Sequence, residues 1–160
     1  MDTIVKKILL VDDDPDMLTV NSGLLKSCGY RVFLANDGLE ALKIVKKNRL
    51  DLIILDLMLP KIDGILICGM LKRDERYLSI PIIIVSARND ELDKRKAKEA
   101  GANNYLTKPF EPDTILSLVS SIFGTPIDNK KLLIAKSKLL VRRKKFRRVS
   151  ERRQKNPRVK

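Results

Sequence analysis

Acidic side chains cluster directly after two short apolar runs of the sequence. Asp12, Asp13 and Asp14 follow the first run, and Asp56 follows a later one. Carboxylates held close together repel one another and need a cation, and a set of oxygen ligands favours Mg²⁺ over zinc or copper. The residue types therefore predict a magnesium site, provided that the fold brings the two runs side by side.

A serine and a lysine complete a set of groups suited to phosphoryl transfer. Ser86 and Lys108 follow two further runs of apolar and β-branched residues. An ammonium group can neutralise one phosphoryl oxygen, and a hydroxyl can donate a hydrogen bond to another. Asp56 would then act as the nucleophile and form an aspartyl phosphate.

The composition excludes several other chemistries and locations. The chain has no histidine, so phosphohistidine chemistry and His metal ligation within it are excluded. Cys28 and Cys68 lack metal-ligand spacing and are interpreted as reduced thiols of a cytoplasmic protein. No run approaches the roughly 20 apolar residues that span a bilayer. The first residues carry no signal-peptide pattern.

Apolar runs alternate with amphipathic segments along most of the chain. The runs predict strands at 8–11, 31–35, 52–55, 81–85 and 104–106. The amphipathic segments predict helices at 15–28, 38–47, 64–73, 90–100 and 112–123. This alternation predicts an α/β fold with a doubly wound parallel sheet, in which functional groups gather beyond the carboxyl ends of the strands.

Helix capping is the competing explanation for an acidic residue at a strand end. A lone aspartate there is most often an N-cap, and Asp14 and Asp16 are suitable caps beside Pro15. Capping does not explain why Asp56, Ser86 and the polar residues that follow the other strands would all lie at one edge of the sheet.

Four sequence strings, taken in order, carry a family resemblance. ILLVDDDPDML, DLIILDLMLPKIDG, IPIIIVSA and GANNYLTKPF resemble the signature regions of bacterial two-component response-regulator receiver domains of the CheY-like type. The resemblance covers about residues 5–124. It implies a flavodoxin-like (βα)5 fold and a switch that takes a phosphoryl group on Asp56 from a histidine kinase or a phosphotransfer protein. Such a protein is not an enzyme beyond catalysing its own phosphorylation and dephosphorylation.

The resemblance implies a magnesium site and a control on phosphate lifetime. Asp13, Asp56 and the backbone carbonyl of Met58 would bind Mg²⁺ directly, and Asp12 would bind it through water. Met58 and Arg88 would flank the path of the attacking water. Because Met58 cannot orient a water and Arg88 is long enough to cover the phosphate, slow hydrolysis is predicted.

The resemblance also implies which residues bind the phosphate and switch. Ser86 and Lys108 would hold the phosphoryl oxygens, and the small Ala87 would leave them accessible. Tyr105 would swing inward when Ser86 moves toward the phosphate. The Lys108–Pro109 peptide would be cis.

Two departures from the DNA-binding branch of the family affect the expected assembly. Asn103 and Asn104 stand where that branch has an acidic pair, and the stretch 114–121 has no charged residue. The usual salt-bridged receiver dimer is therefore not expected.

Two alternatives compete with the receiver interpretation. Asp12 and Asp14 also match the nucleophile pattern of haloacid-dehalogenase-like phosphatases, with Ser86 and Lys108 as partners. That family needs a late acidic pair, which is missing after Lys108, and it has no use for Asp56. The other alternative is a binding module with a vestigial site.

The charge divides the chain into a receiver, residues 1–124, and a basic tail, residues 125–160. The first part holds 18 Lys and Arg against 18 Asp and Glu, whereas the tail holds 15 against 2, which gives the whole excess of +13. Thr125, Pro126 and Asp128 predict a helix start, and an amphipathic helix follows to about residue 150, interrupted at Arg142, with disorder beyond. Its basic side chains include Arg142, Arg143, Lys144, Lys145, Arg147 and Arg148.

Four roles for the tail remain open from sequence. It could pack on the receiver or on a second copy, contact nucleic acid without sequence specificity, lie on a membrane surface, or connect to an output domain. Salt-sensitive, tail-dependent binding to a polyanion is the prediction.

Overall fold

A parallel five-stranded sheet forms the centre of the protein, with helices on both faces. The computed structural model describes the backbone of residues 4–155 and the side chains of residues 4–141 and 144. The strands are β1 Lys7–Val11, β2 Arg31–Ala35, β3 Leu52–Asp56, β4 Ile82–Ser86 and β5 Asn104–Thr107. The helices are α1 Pro15–Ser27, α2 Gly38–Lys47, α3 Gly64–Arg73, α4 Glu91–Glu99, α5 Pro112–Phe123 and α6 Asn129–Lys155.

The strand order is β2-β1-β3-β4-β5, so the predicted flavodoxin-like sheet is confirmed. Alternate residues of each strand face opposite layers. In β1, Leu9 packs into the layer with α2 and α3, whereas Ile8 and Leu10 pack into the layer with α1 and α5. Burial on both faces explains why β1, β3 and β4 consist largely of continuous apolar runs.

β3, β4 and β5 each extend one residue beyond their predicted ends. The ladder continues through the pairs Asp56–Val85 and Ser86–Thr107, so β3 ends at Asp56 and β4 at Ser86. Both side chains are consequently held by strand backbone. They are positioned more rigidly than residues of a following loop.

The start of α6 differs from the prediction. Gly124 adopts a left-handed conformation at the end of α5, and the Thr125 N–H donates to the Ser120 carbonyl. Thr125 therefore closes α5 and is not the N-cap of the next helix. Asp128 is the cap, since its Oδ1 accepts from the N–H groups of Lys130 (2.9 Å) and Lys131 (3.3 Å).

The tail helix is longer and more regular than expected. α6 continues through Arg142 to Lys155, so the predicted interruption is wrong. A break in apolar periodicity does not break a backbone that lacks Pro and Gly over the whole range 129–155. The side chains of the predicted basic set, apart from the exposed Lys144, lie outside the described residues, as do residues 156–160.

The first half of α6 packs on the receiver. Ala135 and Leu139 are buried, and Ala135 belongs to the same apolar layer as Leu24 and Leu25 of α1. Lys136 forms an ion pair with Asp113 at the start of α5. Throughout residues 4–155, every helix is too short or too polar to cross a bilayer.

Candidate functional site

The carboxyl edge of the sheet brings the predicted polar side chains together. Asp12 directly follows β1, Asp56 ends β3, Ser86 ends β4 and Lys108 directly follows β5. These strands are consecutive in the sheet. β1 and β3 lie at the point where the strand order reverses, the usual place for a ligand in such a sheet.

Three carboxylates form the acidic part of the site. Asp12, Asp13 and Asp56 each offer an oxygen within 4.8 Å of the others. Asp12 and Asp56 are buried, whereas Asp13 is exposed. An open cluster of oxygen donors with one exposed member fits a hard divalent cation that keeps some of its water, as Mg²⁺ does.

Lys108 connects two of these carboxylates. Its Nζ donates to Asp12 Oδ2 and to Asp56 Oδ2, both at 2.8 Å. Burial alone would lower the pKa of Lys108, but the hydrogen bonds to the two carboxylates outweigh it, and the pKa is raised. Lys108 is therefore a fixed positive charge. The Lys108–Pro109 peptide is cis, as predicted.

The Asp56 carboxylate is held from two sides. Its Oδ1 accepts from the Met58 N–H at 2.9 Å, and its Oδ2 accepts from Lys108. Burial raises the pKa of Asp56 above its ordinary value of 3.8, and this effect exceeds the lowering by Lys108. A partly desolvated carboxylate is a better nucleophile than a fully hydrated one.

We expect Mg²⁺ binding to weaken as the pH falls, because the Asp56 carboxyl has a raised pKa. Mg²⁺ and a proton compete for the Asp56 carboxylate, and a raised pKa moves that competition to higher pH than for an ordinary aspartate. Calorimetric Mg²⁺ titrations at several pH values measure how the affinity depends on pH. Asp56→Asn is the control and should lose most of this pH dependence. The same pH dependence in wild type and Asp56→Asn would contradict this assignment.

Arg88 links Ser86 to Tyr105 through two hydrogen bonds. From sequence, these two residues were connected only by the family resemblance. The Arg88 N–H donates to Ser86 Oγ at 3.1 Å, and the Tyr105 hydroxyl donates to the Arg88 carbonyl at 2.7 Å. Ser86 is fully buried, and Ala87 beside it is exposed. A movement of Ser86 would therefore displace the acceptor of the Tyr105 hydroxyl.

Comparison with known proteins decides the family. Residues 8–120 match the family model of the response regulator receiver domain. The chain belongs to the response-regulator receiver family. The alkaline phosphatase synthesis transcriptional regulatory protein PhoP of Bacillus subtilis is 44% identical to this receiver over 117 residues, which are 73% of this chain and 48% of that protein.

Other relatives agree with this assignment. The DNA-binding response regulator MtrA of Mycolicibacterium smegmatis is 38% identical over 119 residues, 74% of this chain and 51% of that protein. The receiver thus spans about half the length of the curated relatives it matches. The chemotaxis protein CheY4 of Vibrio cholerae aligns with a TM-score of 0.71 at 32% identity, over 74% of this chain and 98% of that one.

The phosphatase alternative is not supported for this receiver. Besides the family match, Asp14 is occupied elsewhere: its side chain accepts from the N–H groups of Asp16 and Met17 and caps α1. The capping role suggested by the sequence thus applies to Asp14. Asp12 and Asp56 belong to the receiver site.

Arg88 does not lie where the receiver resemblance suggested. Its Nη1 lies 3.5 Å from Asp93 Oδ2 on α4, so the guanidinium is directed to α4 and does not cover the site. Asp93 is buried, and its negative charge attracts the Arg88 guanidinium. Sequence reasoning missed Asp93, whose only signal was an acidic residue five positions after Arg88.

Proposed function

We propose that this receiver is a phosphorylation switch in which Asp56 accepts a phosphoryl group from a histidine kinase or a phosphotransfer protein. The observation that carries the proposal is the Asp56 carboxylate, held between Lys108 and the Met58 N–H beside two further carboxylates. A lysine, together with a divalent cation that a cluster of carboxylates can hold, neutralises the charge of a transferring phosphoryl group.

The chain's own residues account for the transfer step. An Asp56 oxygen attacks the phosphorus of the donor, so that a P–O bond forms as the donor's P–N bond breaks and the imidazole leaves. Lys108 moves its hydrogen bond from Asp56 to a phosphoryl oxygen while keeping Asp12. Asp12, Asp13, Asp56 and the Met58 carbonyl would hold Mg²⁺, whose charge neutralises the carboxylates and the phosphoryl oxygens.

The structural effect of phosphorylation would reach the protein surface through Ser86. On this proposal the Ser86 hydroxyl moves to donate to a phosphoryl oxygen, and that movement changes its contact with the Arg88 N–H. The Arg88 carbonyl holds the Tyr105 hydroxyl, and the Arg88 side chain holds Asp93 of α4. We infer that the face formed by α4 and β5 changes with phosphorylation and binds the partner. On this proposal the chain acts in the cytoplasm and turns over no substrate.

Phosphorylation by a small donor tests the proposal. We expect acetyl phosphate with Mg²⁺ to phosphorylate the full chain. Asp56→Asn should reduce the product by about a hundredfold or more, because Asp56 ends β3, the strand that lies between β1, which leads to Asp12, and β4, which ends in Ser86. Gels that separate phosphorylated protein measure it. Asp14→Asn is the matched control and should behave as wild type. Undiminished phosphorylation of Asp56→Asn, or its loss in Asp14→Asn, would refute the proposal.

The lifetime of the phosphate is expected to depend on Met58 more than on Arg88. The Met58 side chain is exposed beside the site, whereas the Arg88 guanidinium is held by Asp93. Met58→Asn supplies a group that orients water and should speed hydrolysis on the order of tenfold. Arg88→Ala should change the rate less. The decay of phosphorylated protein after donor removal measures both, and equal rates in wild type and Met58→Asn would contradict the expectation.

A further inference from the structure

The outer side of α6 carries an apolar stripe that the receiver does not cover. We define the outer stripe as Leu133, Ile134, Leu140 and Val141, whose exposed fractions are 68%, 45%, 57% and 67%. Residues seven apart lie nearly above one another on a helix, so the pairs 133/140 and 134/141 form two rows. The rows lie about 100° apart around the helix axis, with the exposed Ser137 between them. The stripe extends over about two turns of the helix.

The other side of α6 explains why the stripe stays exposed. Ala135 and Leu139, which are 2% and 7% exposed, face α1, and Lys136 pairs with Asp113 of α5. The inner face already accounts for the packing of the tail on the receiver. Packing of α6 on the receiver therefore does not explain the four aliphatic side chains on its outer side. Contiguous exposed apolar groups bordered by polar ones mark an interaction surface.

Positive charge surrounds the outer stripe. Lys130, Lys138 and Lys144 are exposed at its ends and side. Residues 125–160 carry 15 Lys and Arg against 2 acidic residues, whereas the preceding 124 residues balance at 18 against 18. The partner of this surface must therefore be both apolar and negatively charged.

We propose that α6 docks the protein on an anionic lipid surface, with the outer stripe in the boundary between headgroups and acyl chains. A helix lying in that plane buries its apolar side and places Lys and Arg against acidic headgroups. Nucleic acid would neutralise the same charges but would leave four aliphatic side chains in water. A second copy would bring together two tails of +13 each.

Vesicle sedimentation with the full chain tests this docking. The probes are vesicles of phosphatidylcholine alone and vesicles that also contain phosphatidylglycerol, at low and at physiological salt. Wild type should bind the anionic vesicles only, more weakly as salt rises. The double variant Leu133→Ser with Leu140→Ser should lose about tenfold or more in partition, because the apolar contribution is removed while the charge remains. Both positions are exposed, so circular dichroism and the unfolding midpoint should stay unchanged.

A matched control removes apolar groups elsewhere. Leu66→Ser with Leu78→Ser alters two exposed leucines far along the chain from α6 and should bind as wild type. Equal binding by the stripe variant and wild type would overturn the proposal. Absence of binding to anionic vesicles would also overturn it. This includes the case in which the chain binds duplex DNA or RNA instead and the stripe variant binds that nucleic acid equally well. Dimerisation that the stripe variant abolishes, without vesicle binding, would also overturn it and assign the stripe to a second copy.

Discussion

Replacing Lys108 with alanine is expected to separate phosphorylation from the structural change that follows it. The carboxylates remain, so Asp56 should still be phosphorylated with Mg²⁺, although more slowly. The ammonium that joins Asp12, Asp56 and the phosphoryl group is lost. Chemical shifts of α4 and β5 should therefore respond far less to phosphorylation than in wild type. A full response in Lys108→Ala would contradict the coupling role.

The same variant should be less stable without Mg²⁺. Lys108 neutralises two buried carboxylates, and removal of one partner of a buried ion pair leaves uncompensated charge. We expect a loss on the order of 3 kcal/mol in urea unfolding. Mg²⁺ should restore part of it because it neutralises the same carboxylates. Lys61→Ala, which removes an exposed lysine paired with Asp37 at 2.8 Å, is the matched control and should leave the Mg²⁺ response unchanged.

Replacing Gly64 with alanine is expected to damage the site and the fold together. A Cβ at Gly64 would overlap the Asp56 carbonyl oxygen and would lie 2.9 Å from the Leu57 Cα. Both are backbone atoms held by β3 and its following turn, so they cannot move aside cheaply. We expect a loss of about 3–5 kcal/mol in unfolding free energy, with slower phosphorylation of any folded protein.

Gly69→Ala in the same helix is the control for Gly64→Ala. A Cβ at Gly69 would meet only the Ala100 side chain, at 4.0 Å. Alanine is the better helix former, so stability should rise by about 0.5–1 kcal/mol. Urea unfolding compares the two variants. A Gly64→Ala protein within about 1 kcal/mol of wild type would show that the backbone at Asp56 yields more easily than its contacts indicate.

The sheet and the strand-end groups were predictable because their signals are local and strong. Buried strands such as β3 and β4 consist of continuous apolar residues, and parallel topology places their carboxyl ends at one edge. Once Asp56 and Ser86 were assigned to those ends, their proximity followed from topology alone. The close approach of Gly64 to the Asp56 backbone was not predictable, because it depends on the path of a turn.

The features that sequence reasoning missed depend on competition between neighbouring groups. Thr125 and Asp128 are both good N-caps, and the choice of Asp128 follows from the use of Thr125 in closing α5. Arg88 was expected to cover the phosphate, but its guanidinium is held by the buried Asp93 on α4. Such choices are set by tertiary contacts, which one-dimensional spacing does not contain.

The identity of the phosphorylated side chain is the most direct test of the switch. The full chain is treated with acetyl phosphate and Mg²⁺, the acyl phosphate is reduced with borohydride to the corresponding alcohol, and peptides are mapped by mass spectrometry. We predict modification at Asp56 alone, because Asp56 ends β3 between β1 and β4, and Lys108 and the Met58 N–H hold its carboxylate there. Modification at Asp12 or Asp14 with Asp56 untouched would contradict the receiver mechanism.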